Sequence, residues 1–170
     1  MCRFGVPGDF ATVSGKVLSN DKMVCKSPND YKIPKQASLP FSVPFSIAFN
    51  KEDYNPWTTS AHRFRFYEQP KVAGCRPNSS EIGKIQEVYI YSTQDTEFIQ
   101  PIPIEGSQYA DYGIYCKFGK YGATPGVIVN STLIKCVTPT IRESPESLDK
   151  DTVVLSVALN GQNYNEYESA

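Results

Sequence analysis

Apolar and polar residues alternate in short stretches along this chain. Phe41 to Phe49 (FSVPFSIAF) and Thr152 to Leu159 (TVVLSVAL) set apolar and small polar side chains at alternate positions, the pattern of a strand with one face against a core. Ile85 to Tyr91 (IQEVYIY) and Phe64 to Tyr67 (FRFY) alternate likewise. Gly, Pro, Asn and Asp fill the intervals, where their backbone preferences favour turns. No window has the period of a long amphipathic helix. Short strands at regular spacing without a helical stretch predict an all-β chain of antiparallel sandwiches.

Composition agrees with that pattern. The chain has 170 residues, room for one large domain or two small ones, with 11 Tyr, 9 Phe and 13 Pro. A formal net charge of −1 supplies neither the basic field that holds nucleic acid nor a polybasic patch for anionic lipid. No apolar run reaches the ~18 to 20 residues of a membrane span. Met1 is not followed by the charged and apolar regions of a signal peptide.

The chain repeats itself. Cys2-Arg3-Phe4-Gly5 (in MCRFGVPG) recurs as Cys116-Lys117-Phe118-Gly119 (in YCKFGKYG). Downstream, Met23-Val24-Cys25-Lys26-Ser27-Pro28 falls on Ile134-Lys135-Cys136-Val137-Thr138-Pro139, sharing Cys-x-[Ser/Thr]-Pro. Further on, PFSIAFNKEDYN (44–55) matches VLSVALNGQNYN (154–165) with small gaps. Three blocks in one order indicate two copies of a single unit.

Cys-x-Phe-Gly, a hairpin, Cys-x-[Ser/Thr]-Pro and an alternating strand ending in Asn-Gly-Gln-x-Tyr together resemble the IPT/TIG family of immunoglobulin-like domains. Phe64 to Tyr67, followed by Pro70 and Cys75-Arg76-Pro77, is similar to the closing strand of one such domain running into the next. The resemblance spans essentially the whole chain and implies tandem immunoglobulin-like (E-set) β-sandwiches, residues 1–69 and 70–170. It specifies fold more than function, because the family includes plexin-type receptor ectodomains, protist and bacterial surface proteins, and dimerisation domains of transcription factors. The family's Gly-Pro-x-x-Gly-Gly turn is replaced here by Arg76-Pro77-Asn78-Ser79-Ser80-Glu81-Ile82-Gly83, so no ligand role of that turn carries over.

Aligned on each other, the copies differ at their ends. The residues from Pro70 to Tyr115 that precede the second Cys-x-Phe-Gly have only Met1 as counterpart in the first copy, and nothing after the second copy matches FRFYE. The expectation is a fragment of a longer tandem array, with both domains incomplete. The rival is donation of the missing strands by neighbouring molecules.

Five cysteines, Cys2, Cys25, Cys75, Cys116 and Cys136, are too far apart for a zinc ribbon. With the family resemblance and its oxidising location, the two matched pairs read as intradomain disulfides, Cys2 with Cys25 and Cys116 with Cys136; four buried thiols are the alternative. Cys75 is left over, free or bonded outside the chain. The sequons at Asn78 (Asn78-Ser79-Ser80) and Asn130 (Asn130-Ser131-Thr132) suit a secreted or surface glycoprotein.

Catalytic signals are weak. The single histidine, His62, lies in a polar segment and reads as a loop residue, a poor base for a triad. The acidic run from Arg142 to Asp151 lacks calcium-loop spacing and reads as a solvated loop. Tyr54, Trp57 and Tyr67 are candidates for an exposed binding platform, against a bland role plugging a sheet edge or domain junction. The expected protein is not an enzyme and takes no cofactor or metal. It is a structural or adhesive extracellular component, such as a surface, glycocalyx or ciliary protein of a protist or a filament. Its partners would be neighbouring IPT/TIG domains of the same or identical chains, with no nucleic acid and no membrane insertion. The short Glu68-Gln69-Pro70-Lys71 connection would stiffen the array into a rod. A plexin-type receptor stalk is the alternative, and a transcription-factor dimerisation domain a third reading.

Overall fold

The structure, a computed structural model, describes residues 1–54, 63–100, 113–141 and 152–166. Among the described residues the regular structure is antiparallel β, with a 3-10 turn at Gly119–Tyr121. The chain divides into two units, Met1–Glu68 and Gln69–Ala170.

In the first unit the described residues form β1 (Cys2–Val6), β2 (Asp9–Val13), β3 (Gly15–Ser19), β4 (Lys22–Cys25), β5 (Phe41–Ile47) and β6 (Arg63–Phe66). They make a four-stranded sheet, β2-β1-β5-β6, and a separate β3-β4 hairpin. Cys2, Phe4 and Val43 are buried at the core, which is mainly aromatic around them. The Phe4 ring lies 4.9 Å from Phe45 and 5.0 Å from Phe64, and Tyr31 stacks on Phe66 at 5.1 Å. Tilted and edge-on pairs of this kind add to the area they bury.

The second unit holds β7 (Val72–Arg76), β8 (Glu87–Ser92), β9 (Tyr115–Phe118), β10 (Ala123–Asn130), β11 (Leu133–Val137), β12 (Leu155–Ala158) and β13 (Tyr164–Glu166). Their order is β13-β12-β9-β10-β11-β8-β7. Strand β10 joins two ladders: Ala123 to Pro125 pair with β9, whereas Gly126 onward pairs with β11. Val88, Ile90, Ile114, Ile134 and Val157 are buried, and Pro70, buried too, accepts a hydrogen bond from Asn165 Nδ2 on its carbonyl.

Some strands differ from their sequence-based outlines. Strand β8 begins at Glu87, and Ile85 before it is 65% exposed. Strand β12 does not alternate between core and solvent. All four of its residues are buried, which its small, mostly apolar side chains permit in a strand covered on both faces.

The repeat persists in the hydrogen-bond register. Cys2, Arg3 and Phe4 of β1 face Ile47, Ser46 and Phe45 of β5; Cys116, Lys117 and Phe118 of β9 face Val157, Ser156 and Leu155 of β12, in the same order. The β3-β4 hairpin pairs Gly15 with Cys25, Lys16 with Val24 and Val17 with Met23, then shifts at a bulge before Ser19 meets Lys22. The β10-β11 hairpin pairs Gly126 with Cys136, Val127 with Lys135 and Ile128 with Ile134, and shifts at the matching place before Asn130 meets Leu133. A bulge at one position in both hairpins is a property of the unit, because it fixes register and twist.

A turn repeats as well. Asn50 Oδ1 accepts from the amides of Glu52 and Asp53, and Asn160 Oδ1 from those of Gln162 and Asn163. The next residue has positive φ in both turns, Gly161 at 69° and Lys51 at 72°. A left-handed lysine is strained where glycine is not. Lys51→Gly is therefore expected to stabilise the first unit by about 0.5 to 1 kcal/mol after allowing for glycine's extra freedom when unfolded. A lower midpoint in urea denaturation would refute this.

Candidate functional site

The Cys-x-Phe-Gly element gives each of its side chains a separate task. Its cysteine pairs with one in the following hairpin: Cys2 with Cys25 and Cys116 with Cys136, both at disulfide distance. Each pair ties a strand of one ladder to a strand of another, β1 to β4 and β9 to β11. Phe4 and Phe118 are buried. The intervening cation leans on a tyrosine from the Asn-x-x-x-Tyr turn: the Arg3 guanidinium sits 4.0 Å from the Tyr54 ring centroid and Lys117 Nζ 5.7 Å from that of Tyr164. Arg3 Nε also donates to Ser46 Oγ at 3.1 Å.

A glycine lies beneath each disulfide. A Cβ on Gly126 would lie 2.7 Å from Cys136 Sγ and 3.3 Å from Cys116 Sγ; one on Gly15 would lie 3.0 Å from Cys25 Sγ and 3.1 Å from Cys2 Sγ. Neither glycine was singled out by sequence reasoning, because the first copy has a longer turn between Cys2 and Gly15. Counted backwards from the second cysteine of each pair, the two glycines coincide.

The Cys-x-Thr-Pro signature has its own task. Thr138 is buried; its Oγ1 accepts from the Gln86 amide at 2.9 Å and donates to the Lys84 carbonyl at 3.3 Å, while its amide donates to the Gln86 carbonyl at 2.9 Å. It thereby holds the segment leading into β8.

Cys75 has no disulfide partner and is half-buried in β7. It borders a cleft of about 520 Å3 lined in part by Ile82, Phe118, Tyr121, Thr138 and Leu155. Burial pushes its thiol pKa up, leaving less thiolate for reaction at neutral pH. Alkylation of the folded protein at neutral pH is expected to be slower than in denaturant. Equal rates measured by mass spectrometry would refute that.

The outer side of β10, β11 and β8 is the most distinctive surface. Val127, Lys135 and Tyr89 form one row across the three strands, and Leu133 faces Tyr91 nearer the hairpin tip. Val127, Val129 and Tyr91 are exposed. Among them Glu87 accepts from Lys135 Nζ and from the Tyr89 hydroxyl, both at 3.0 Å. The Lys135 hydrogen bond, and then that of Tyr89, hold the Glu87 carboxyl below its ordinary value.

Asn130 stands at the tip of this hairpin, exposed, its Oδ1 accepting from the Thr132 amide at 2.9 Å and the Thr132 hydroxyl at 3.0 Å. Asn78 is exposed in the turn after β7. Both sequon asparagines are thus exposed. Of the candidate platform residues, Tyr54 lies against Arg3, Tyr67 is half-buried with its pKa raised by burial, and Trp57 lies outside the described residues. His62 and the run from Arg142 to Asp151 also lie outside them.

No family model, curated protein or solved structure matches the chain. Among the described residues no three His, Cys, Asp or Glu side chains gather as metal ligands, and no helix is long and apolar enough to cross a membrane. The recurring features are covalent and architectural: a disulfide between ladders, a glycine beneath it and a cation stacked on a tyrosine.

Proposed function

We propose that this chain is an extracellular structural or adhesive protein built from tandem immunoglobulin-like sandwiches of the IPT/TIG kind, acting through contacts with other protein domains. The observation that carries the reading is the repeated disulfide between ladders, Cys2 to Cys25 and Cys116 to Cys136. Such bonds persist in oxidising compartments. Joining two ladders across a core is also how an immunoglobulin-like sandwich is commonly stapled. The two exposed sequons and the tyrosine- and valine-bearing outer face of β10, β11 and β8 favour the same setting, since exposed apolar and aromatic residues in one patch are typical of contact surfaces.

Two results are expected in the source organism. An antibody against the chain labels intact cells or the secreted fraction, and peptide N-glycosidase lowers the apparent mass of the labelled band. Labelling only after permeabilisation, with no mass change, would overturn the reading.

A further inference from the structure

Directly opposed residues of an antiparallel ladder share a face, so the ladders of the second unit sort the outer side of β10, β11, β8 and β7 into rows. The row nearest the hairpin tip runs Asn130, Leu133, Tyr91, Gly74; the next runs Val127, Lys135, Tyr89, Arg76. The first row thus begins at a sequon and ends at a glycine. Gly74 puts no side chain beside Tyr91, and an open depression of about 450 Å3 lies there, lined by Ala73, Gly74, Cys75, Arg76 and Tyr91. Tyr91 is 41% exposed. Other tyrosines are occupied: Tyr89 donates to Glu87, Tyr31 stacks on Phe66 and Tyr54 lies against Arg3.

The sequon end of the row is held in place. Asn130 Oδ1 accepts from the Thr132 amide and hydroxyl, and neither bond uses Nδ2, the atom that carries the sugar of a glycosylated asparagine. The Ser131 carbonyl accepts from the Phe98 amide at 2.6 Å and the Thr132 carbonyl from the Ser92 amide at 3.1 Å, which ties the turn to the end of β8 beside Tyr91. Asn130 and Tyr91 lie two strands apart, about 10 Å at the usual strand spacing. That is within reach of an asparagine side chain and its first sugars, with the apolar Leu133 between. One face of a β-linked N-acetylglucosamine consists of axial C–H groups, apolar and slightly positive, and it matches the negative face of an aromatic ring. A turn fixed before the sugar arrives lowers the ordering cost of such a contact.

We propose that Tyr91, with the depression beside Gly74, is the seat of the first N-acetylglucosamine of a glycan on Asn130. The sugar crosses Leu133, stacks its C–H face on the Tyr91 ring and finds donors for its oxygens in the Arg76 guanidinium. The glycan thereby covers the row at the hairpin tip and leaves Val127, Lys135 and Tyr89 in the next row for protein contact. This inference rests on the surface reading above, which supplies the glycosylating compartment.

The test uses the full chain with Asn78→Gln, which leaves Asn130 as its sequon, secreted from a eukaryotic host and trimmed by an endoglycosidase to a single N-acetylglucosamine. The same chain made without sugar in a bacterial periplasm is the reference. The retained sugar is expected to lower the unfolding equilibrium constant of the second unit about two- to tenfold, the worth of a ring contact. In NMR spectra its ring protons should lie upfield and show cross-relaxation with the Tyr91 ring protons. Tyr91→Thr should abolish both effects and Tyr89→Thr, one row away, should leave them, a double-mutant cycle between sugar and ring. Tyr91 is exposed and threonine suits a strand, so the Tyr91→Thr chain is expected to fold. An Asn130 without sugar after secretion, or sugar protons and stabilisation unchanged by Tyr91→Thr, would overturn the proposal. So would a sugar-free chain that sediments as a dimer and is dissociated by Tyr91→Thr, which assigns the face to a second copy. None of these results bears on antibody labelling of intact source cells, so the surface reading stands or falls separately.

Discussion

Gly5→Ala is expected to be the most damaging single-methyl addition in the first unit. A Cβ on Gly5 would lie 2.4 Å from the Asp9 carbonyl oxygen and 2.8 Å from Phe10 Cα, both backbone atoms of paired β2, at a φ of +119°. Neither obstacle can rotate away as a side-chain tip would. Backbone strain in a region L-residues avoid costs about 1 to 2 kcal/mol, and forced repacking adds about 1 to 3 kcal/mol. A loss of about 3 kcal/mol or more is expected in the first unit's unfolding. Gly8, also at positive φ (+89°), has nothing within 4 Å of its would-be Cβ. Gly8→Ala should therefore cost about 1 kcal/mol, the backbone term alone. Denaturation of both variants decides the matter; equal losses would show that the close approach beside β2 is not real.

Removing a disulfide ranks next. Cys116 and Cys136 are 20 residues apart and Cys2 and Cys25 are 23 apart. Loops of this length constrain the unfolded chain by roughly 3 kcal/mol in the entropic description. Cys116→Ala with Cys136→Ala is expected to lower the stability of the second unit by about that amount. The glycine below gives an internal control. Gly126→Ala in the intact protein would press its Cβ against Cys136 Sγ and Ile114, at 2.7 and 3.1 Å. In the disulfide-free background, alanine at Cys136 lacks the sulfur that this methyl would strike. The cost of Gly126→Ala should then shrink, and an unchanged cost would refute the contact. The comparison is a double-mutant cycle and isolates the pairwise contribution.

Much of the fold was legible because the chain states it twice. Cys-x-Phe-Gly was recognisable from its repetition, and its phenylalanine, cysteine and glycine each prove to have a physical reason: burial, cross-linking and a φ that other residues avoid. The alternation at Phe41 to Phe49 located β5, but a period of two could not reveal that β12 is covered on both faces, since small polar Ser156 imitates a solvent-facing position. The passage of β10 from one ladder to another was also hidden. In ATPGVIVN only Pro125, which cannot donate to a ladder, and Gly126 stand at the change of partner, and the role of Gly126 depends on sulfur atoms brought in from β9 and β11. The contact between Tyr54 and Arg3, distant in sequence, was not legible either. Such long-range pairings depend on register, which the turns set and local pattern does not encode.

The most direct test of the central claim, that one disulfide-tied β unit occurs twice in an oxidising compartment, is peptide mapping of the native polypeptide by mass spectrometry without reduction. The expected result is two cross-linked peptides, one joining Cys2 to Cys25 and one joining Cys116 to Cys136, with Cys75 in neither. Alkylation of Cys2, Cys25, Cys116 and Cys136 as free thiols, or a bond joining a cysteine of one pair to a cysteine of the other, would contradict it.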